Sequence, residues 1–145
     1  LVEFLKYRAP GFVYSVGMPP SIAAASAEVV RIMQAEPARL ERLHANGRRF
    51  LQLAKEKGLD TGRAEGFAVI PVMVGNSLTA AILSQEMRDT GILALPVIYP
   101  GVEEGKARLR FFISAMHTDD DLATAVDAAV ELLPIARQKA ASYAR

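Results

Sequence analysis

Two arginines separated by one residue are the side chains of this sequence with the clearest capacity for chemistry. Arg108 and Arg110 lie within "KARLRFFISA", residues 106 to 115. A guanidinium is planar and always charged, and its fork of N–H donors binds a carboxylate or a phosphate through two parallel hydrogen bonds. The pair therefore raises the hypothesis of an anion-binding site.

The residues around the two arginines are typical of a strand. Successive side chains of a strand point to opposite faces, so Arg108 and Arg110 share one face with Phe112 and Ser114. The alternate residues form a core face, and they are Leu109, Phe111, Ile113 and Ala115. Two interpretations stay open at this point: a carboxylate or phosphate clamp, or two arginines on the solvent side of a half-buried strand. The glycine-flanked turn 101–105 would give such a clamp a flexible cover.

The other polar candidates favour structural roles. We interpret His44 as a partly packed surface histidine and His117 as a partner of local backbone groups. The run Asp119 to Asp121 follows Thr118, which predicts a helix N-terminus rather than a metal site. Two distant histidines without any cysteine make no case for a metal centre.

The elements that must position these residues follow from the apolar spacing and the helix signals. We predict a first helix that ends at Pro10-Gly11, an extended connector over 12–16, and helices that begin near Pro20 and Pro37. Strands are expected over 66–75, 92–97 and 107–115, with Pro71 at an edge or a bulge. A helix capped by Asn76 or Ser77 ends at Gly91, and a last helix follows Thr118.

This order predicts an α+β fold. We expect a small antiparallel or mixed sheet of about three strands with helices on one face.

Composition narrows the classes of function. The 145 residues are 51% hydrophobic and 23% charged, which is typical of a globular domain. A net charge of +1 gives no electrostatic footprint for nucleic acid, and no apolar run reaches the roughly 18 residues of a membrane span. The absence of cysteine is compatible with the cytoplasm. Because the sequence starts without Met inside a helical pattern, we expect a piece of a longer polypeptide.

Two stretches carry a resemblance to a known family. "YPGVEEGKARLRFFISAMHT", residues 99–118, resembles the closing signature of the α-oxoamine synthases, which are fold-type I pyridoxal-phosphate (PLP) enzymes. "LVEFLKYRAPGFVYSVGMPPSIAAA", residues 1–25, resembles the family's helix, connector and Ala-rich interdomain helix, and "GFAVIPVMVGN" its following strand. The resemblance implies the C-terminal small domain of a PLP-dependent acyltransferase that condenses an amino acid with an acyl-CoA to give an α-oxoamine. It also implies that residues 1–35 form the interdomain helical segment with its connector and residues 36–145 the C-terminal small domain.

The family's residue roles carry over to a few positions. The resemblance implies that Arg110 binds the carboxylate of the amino acid and that Ser15 contacts the PLP phosphate of a neighbouring subunit. For Arg108 we expect a structural ion pair. It also implies a cytoplasmic homodimer for the full-length protein.

None of the five lysines matches the family's cofactor loop, so we expect no catalytic residue within this chain and no activity from the chain alone. The five are Lys6, Lys55, Lys57, Lys106 and Lys139. The alternatives are a non-catalytic binding or assembly domain, or the small domain of a class I/II aminotransferase.

Overall fold

The structure, a computed structural model, describes residues 1–13 and 17–143 and divides the chain into two compact units. The first unit is Leu1–Pro37 and the second is Ala38–Arg145. The first unit contains α1 (Val2–Arg8), α2 (Pro10–Val13) and α3 (Pro20–Ala35), none of which has a buried residue. It therefore has no core of its own within the described residues.

The segment after Pro10 is helical where an extended connector was expected. The N–H groups of Phe12 and Val13 both donate to the Ala9 carbonyl oxygen at 2.9 Å. Proline suits the first turn of a helix because its missing N–H has no intrahelical partner there. Pro10 consequently begins a helical turn instead of ending one, and the prediction for Phe12 and Val13 is wrong. The rest of the expected connector, 14–16, lies outside the described residues.

The second unit contains three helices and three strands. The elements are α4 (Pro37–Glu56), β1 (Val69–Gly75), α5 (Ser77–Asp89), β2 (Leu95–Val97), β3 (Ala107–Phe112) and α6 (Asp119–Tyr143). The strands form an antiparallel sheet in the order β1-β3-β2, so the last strand in sequence is the central one. This confirms the α+β class and the number of strands.

One core holds this unit together, and it lies between the helices and one face of the sheet. Leu109 of β3 and Ile70 of β1 are fully buried there, beside Phe50 of α4, Leu83 of α5 and Leu122 of α6. Burying such side chains contributes about 1.5 to 3 kcal/mol each relative to exposure. No helix in the described ranges is long and apolar enough to cross a membrane.

The helix ends agree with the predicted signals. Gly58 after α4 and Gly91 after α5 have φ of +76° and +88°, a conformation that glycine adopts without steric cost. After each, a backbone bond of 2.9 Å closes the helix, from Leu59 N to Ala54 O and from Ile92 N to Met87 O. These bonds form Schellman motifs.

The helix starts are capped by side chains. Asn76 Oδ1 accepts from Thr79 N at 2.7 Å at the start of α5. Before α6, Thr118 Oγ1 accepts from Asp121 N at 3.2 Å, and Asp121 Oδ2 accepts from Thr118 N at 2.8 Å. The second pair is a reciprocal capping box. Both predicted starts are confirmed.

The strands occupy their predicted places but are shorter. β1 is an edge strand with a register shift between Met73 and Gly75, so Pro71 lies on an edge as expected. β3 ends at Phe112, three residues before the predicted end, because the chain turns at Ser114. Before that turn, Ile113 N donates to Ala68 O at 2.7 Å, outside the ladder.

A close backbone approach joins α4 to the segment before β1. Gly47 is buried, and a Cβ built at this position would lie 2.2 Å from the Gly66 carbonyl oxygen. Real Cβ atoms do not approach an oxygen so closely, so only glycine fits here. The contact brings α4 against residues 66–67, directly before β1.

Candidate functional site

The arginines lie on the face of the sheet opposite the core that α4, α5 and α6 cover. Arg110 pairs with Pro71 on β1 and with Leu95 on β2, which places it on the central strand with a neighbour on each side. Directly opposite residues of antiparallel strands point to the same face. The alternation predicted for this strand is confirmed, and Arg110 lies at the centre of the face opposite the core.

The surroundings of Arg110 are apolar. Val69, Leu95 and Phe112 share its face with exposed fractions of 44%, 42% and 51%. Arg110 itself is exposed. We call this surface the open face. Its residues are Val69, Pro71, Met73, Leu95, Val97, Arg108, Arg110 and Phe112. An apolar surface with a few fixed polar groups is the usual character of a ligand site.

The guanidinium of Arg110 is free to bind an anion. Its Cζ lies over the ring of Phe112, 5.5 Å from the ring centroid, within the range of a cation–π interaction. Among the described residues it forms no ion pair and no hydrogen bond. Its N–H donors are therefore available to a ligand from outside this part of the chain.

Arg108 differs from its neighbour and from the expectation. Its Nε donates to the Lys106 carbonyl oxygen at 3.0 Å, and the residue is half-buried. No carboxylate of the described residues lies within ion-pair distance, so the expected ion pair is wrong. The nearby acids have other partners, since Glu103 pairs with Lys106 and Glu104 binds Ser77.

The turn before β3 is anchored to α5 instead of forming the flexible cover we expected. The Glu104 carboxylate accepts from Ser77 N at 2.8 Å and from the Ser77 hydroxyl. These bonds, the hydroxyl's first, lower the pKa of Glu104 because they favour its charged form. Tyr99 N adds a bond to Ser77 Oγ at 3.2 Å.

Asn46 and His117 hold the other end of β3. His117 Nδ1 accepts from Ser114 N at 3.2 Å, which confirms its predicted backbone role. Asn46, only 8% exposed, donates from Nδ2 to the carbonyl oxygens of Ser114 and His117 at 2.9 Å each. The sequence reasoning missed Asn46. The available signal was an amide directly before Gly47 in the apolar stripe of α4.

His44 and a cavity beyond the end of β3 are two further features of this unit. His44 is half-buried with its ring 6.1 Å from that of Phe67 in an edge-on arrangement, as its predicted surface role requires. A cavity of about 410 Å³ lies beyond the end of β3, and its lining includes Phe112, Leu93 and Asp121. Phe112 thus borders both the cavity and Arg110.

The chain's lysines do not fit the covalent anchor of PLP. Four form surface ion pairs, namely Lys6 with Glu3, Lys57 with Asp127, Lys106 with Glu103 and Lys139 with Glu86. The fifth, Lys55, is exposed at the end of α4. An imine-forming lysine is typically desolvated in a pocket, whereas all five of these lysines are exposed. Ser15, the predicted PLP phosphate contact, lies outside the described residues. Within the described residues there is no cluster of three metal-binding side chains.

Comparison with known sequences gives consistent matches over most of the chain. The profile of the family described as aminotransferase class I and II matches residues 1–128. A putative 8-amino-7-oxononanoate synthase of Geobacillus kaustophilus is 41% identical over 127 residues, and a 2-amino-3-ketobutyrate coenzyme A ligase of Salmonella typhimurium is 35% identical over 128. Both alignments cover 88% of this chain and 32% of the relative. The chain therefore spans about a third of the length of these relatives.

Comparison with solved structures gives the same fold. A serine palmitoyltransferase from S. paucimobilis with bound PLP has a TM-score of 0.78 at 23% identity, covering 92% of this chain and 34% of that one. An 8-amino-7-oxononanoate synthase from Francisella tularensis has a TM-score of 0.73 at 21% identity, with coverages of 92% and 39%. Both solved structures share the α+β fold of this chain.

Proposed function

The chain belongs to the aminotransferase class I and II family, and from this membership we propose that it is the C-terminal small domain of a PLP-dependent acyltransferase. The reaction would condense an amino acid with an acyl-CoA to give an α-oxoamine. Relatives named as 8-amino-7-oxononanoate synthase and as 2-amino-3-ketobutyrate coenzyme A ligase support this class of reaction. PLP, when bound, supplies an electron sink for chemistry at the amino acid's Cα.

The observation that carries the proposal is the guanidinium of Arg110 at the centre of the open face, which has no ion-pair or hydrogen-bond partner among the described residues. In its proposed role Arg110 binds the amino-acid carboxylate through two parallel hydrogen bonds. A central strand holds such a group more rigidly than a loop does. Its apolar neighbours weaken the competition from water, since a charge-assisted hydrogen bond is stronger in a less polar setting.

The covalent part of the site is proposed to come from outside this chain. The lysine that forms the imine with PLP would lie in the part of the full-length protein that corresponds to the rest of the relatives' length. This chain alone would then be inactive. Ser15 remains the proposed contact to the PLP phosphate, in a cytoplasmic homodimer.

Replacing Arg110 in the full-length protein tests the carboxylate site. We expect Arg110→Ala to raise the KM for the amino acid about 10- to 100-fold, because hydrogen bonds between charged groups are lost. The KM for the acyl-CoA should stay within about twofold. Steady-state kinetics with each substrate varied in turn makes the measurement, and equal increases for both substrates would contradict the proposal.

Two controls define the role and the reaction. Arg108→Ala removes a neighbouring guanidinium whose described bond is to Lys106 O, and it should leave both KM values nearly unchanged. Release of free CoA thiol, followed with a thiol reagent, distinguishes acyl transfer from transamination. Formation of a keto acid without CoA release would identify an aminotransferase instead.

A further inference from the structure

The position of the Arg110 side chain is not set by hydrogen bonds. An arginine side chain on an exposed strand face can adopt many rotamers, and this freedom opposes a single binding geometry. Among the described residues its guanidinium makes no hydrogen bond and no ion pair, and its cation–π partner is Phe112, whose ring centroid lies 5.5 Å from Cζ. If Arg110 is held ready for a ligand, this ring is the group that holds it.

The Phe112 side chain lies partly against its neighbours. It is 51% exposed, so about half of its surface is covered. The register places Val69 directly opposite it on β1, and Phe112 borders the cavity of about 410 Å³ together with Leu93. Phenylalanine has only two side-chain torsions, so little ordering is needed to fix the ring.

An aromatic ring suits this task better than a carboxylate. A glutamate at the same position would fix the guanidinium but would occupy the N–H donors that a ligand needs. A ring attracts the cation through its π face and leaves the N–H donors at the edge of the guanidinium plane available. An aromatic partner therefore orients the arginine without competing with an anionic substrate.

We infer that Phe112 is the positioning residue of Arg110, which keeps the guanidinium in the orientation that receives the substrate carboxylate. This inference rests on the proposed function of Arg110. It assigns to Phe112 a selective effect on the carboxylate substrate, which a general packing role would not produce.

The test replaces Phe112 in the full-length protein in two ways. Phe112→Leu keeps an apolar side chain but removes the ring, and Phe112→Tyr keeps the ring. We expect the leucine variant to raise the KM for the amino acid about two- to fivefold, the range of a cation–π contact at an exposed site. The kcat and the KM for acyl-CoA should stay the same, and the tyrosine variant should restore the amino-acid KM to within twofold of the parent.

A matched control separates this effect from the loss of any exposed ring. Phe67 is 59% exposed in the same unit, and its described ring partner is His44, not an arginine. Phe67→Leu should therefore leave the amino-acid KM unchanged. Thermal unfolding of all three variants checks that each protein is folded at the assay temperature.

The outcomes separate the two proposals. If Arg110→Ala raises the amino-acid KM but Phe112→Leu does not, the positioning role of Phe112 is overturned and the carboxylate site stands. If neither variant changes this KM, the function proposed for Arg110 fails, and the positioning role fails with it. Equal increases of the amino-acid and acyl-CoA KM values in Phe112→Leu, or failure of Phe112→Tyr to restore the parent value, would also overturn the positioning role.

Discussion

Consecutive side chains of β3, and of the residue just beyond it, lie in opposite environments, because successive residues of a strand point to opposite faces. Toward the helices, Leu109, Phe111 and Ile113 are 0%, 5% and 7% exposed. Away from them, Arg110 is exposed and Phe112 is 51% exposed. The same short strand therefore supplies the centre of the core on one side and the candidate site on the other.

Along β3, residues that stabilise the core therefore alternate with residues of the candidate site. The inner face contributes burial, which is the main favourable term in folding. The outer face contributes a charge that has no partner among the described residues and so adds little to stability. Substitutions at neighbouring positions of β3 should therefore differ in their effect on the free energy of unfolding.

The largest effect is expected on the inner face. Leu109→Ala should lower the free energy of unfolding by about 2 to 5 kcal/mol, since it leaves a cavity in a fully packed site. Arg110→Ala, one residue further, should change it by no more than about 0.5 kcal/mol, as most exposed substitutions do. Urea denaturation of both variants makes the measurement. Similar values for the two would mean that the faces are not distinct.

An intermediate effect is expected at the turn that ends β3. Asn46→Ala removes both hydrogen bonds to the Ser114 and His117 carbonyl oxygens and should cost about 1 to 3 kcal/mol. The matched control is Gln52→Ala, which removes an exposed bond to Glu56 within the same helix. A cost for Asn46→Ala as small as that of the control would show that the turn is held by other contacts.

The smallest effect concerns the acid dependence of stability near α6. The pKa of Asp121 is lowered in the folded state. The largest cause is the hydrogen bond from Thr118 N, followed by the bond from the Thr118 hydroxyl, and the charge of His117 contributes less. A lowered pKa stabilises the fold at pH values above the carboxyl's usual pKa, and this contribution is lost as the pH falls through the folded-state value.

The melting temperature should therefore fall between neutral pH and about pH 2 by a larger amount in the parent than in Asp121→Asn. Thermal unfolding across this range makes the measurement. Parallel curves for the two proteins would contradict the role of Asp121. Thr124→Ala, an exposed change on the same helix, should reproduce the parent's curve.

The sequence allowed prediction wherever a residue has a strong local preference. Gly58 and Gly91 end helices because of their φ, Asn76 and Thr118 begin helices through their side chains, and the alternation around Arg110 needs only the geometry of a strand. These features depend on neighbours within a few residues. The α+β class followed from their order.

The features that escaped prediction depend on residues far apart in the chain. The Asn46 side chain bonds to carbonyls 68 and 71 residues away, and Gly47 is required by the carbonyl of Gly66. The bond of Arg108 to the Lys106 carbonyl oxygen was also missed. It replaces the expected ion pair because a nearby acid, Glu104, binds Ser77 instead. No local pattern encodes such contacts.

The strand order has a consequence for how the domain forms during synthesis. β3 is the central strand, yet residues 107–112 leave the ribosome after both of its neighbours. Until then β1 and β2 lack their partner within the described residues, because each pairs with β3 and not with the other. Unpaired strands promote association between chains. We therefore expect a nascent chain that stalls before Ala107 to associate with other chains more readily than the completed domain does.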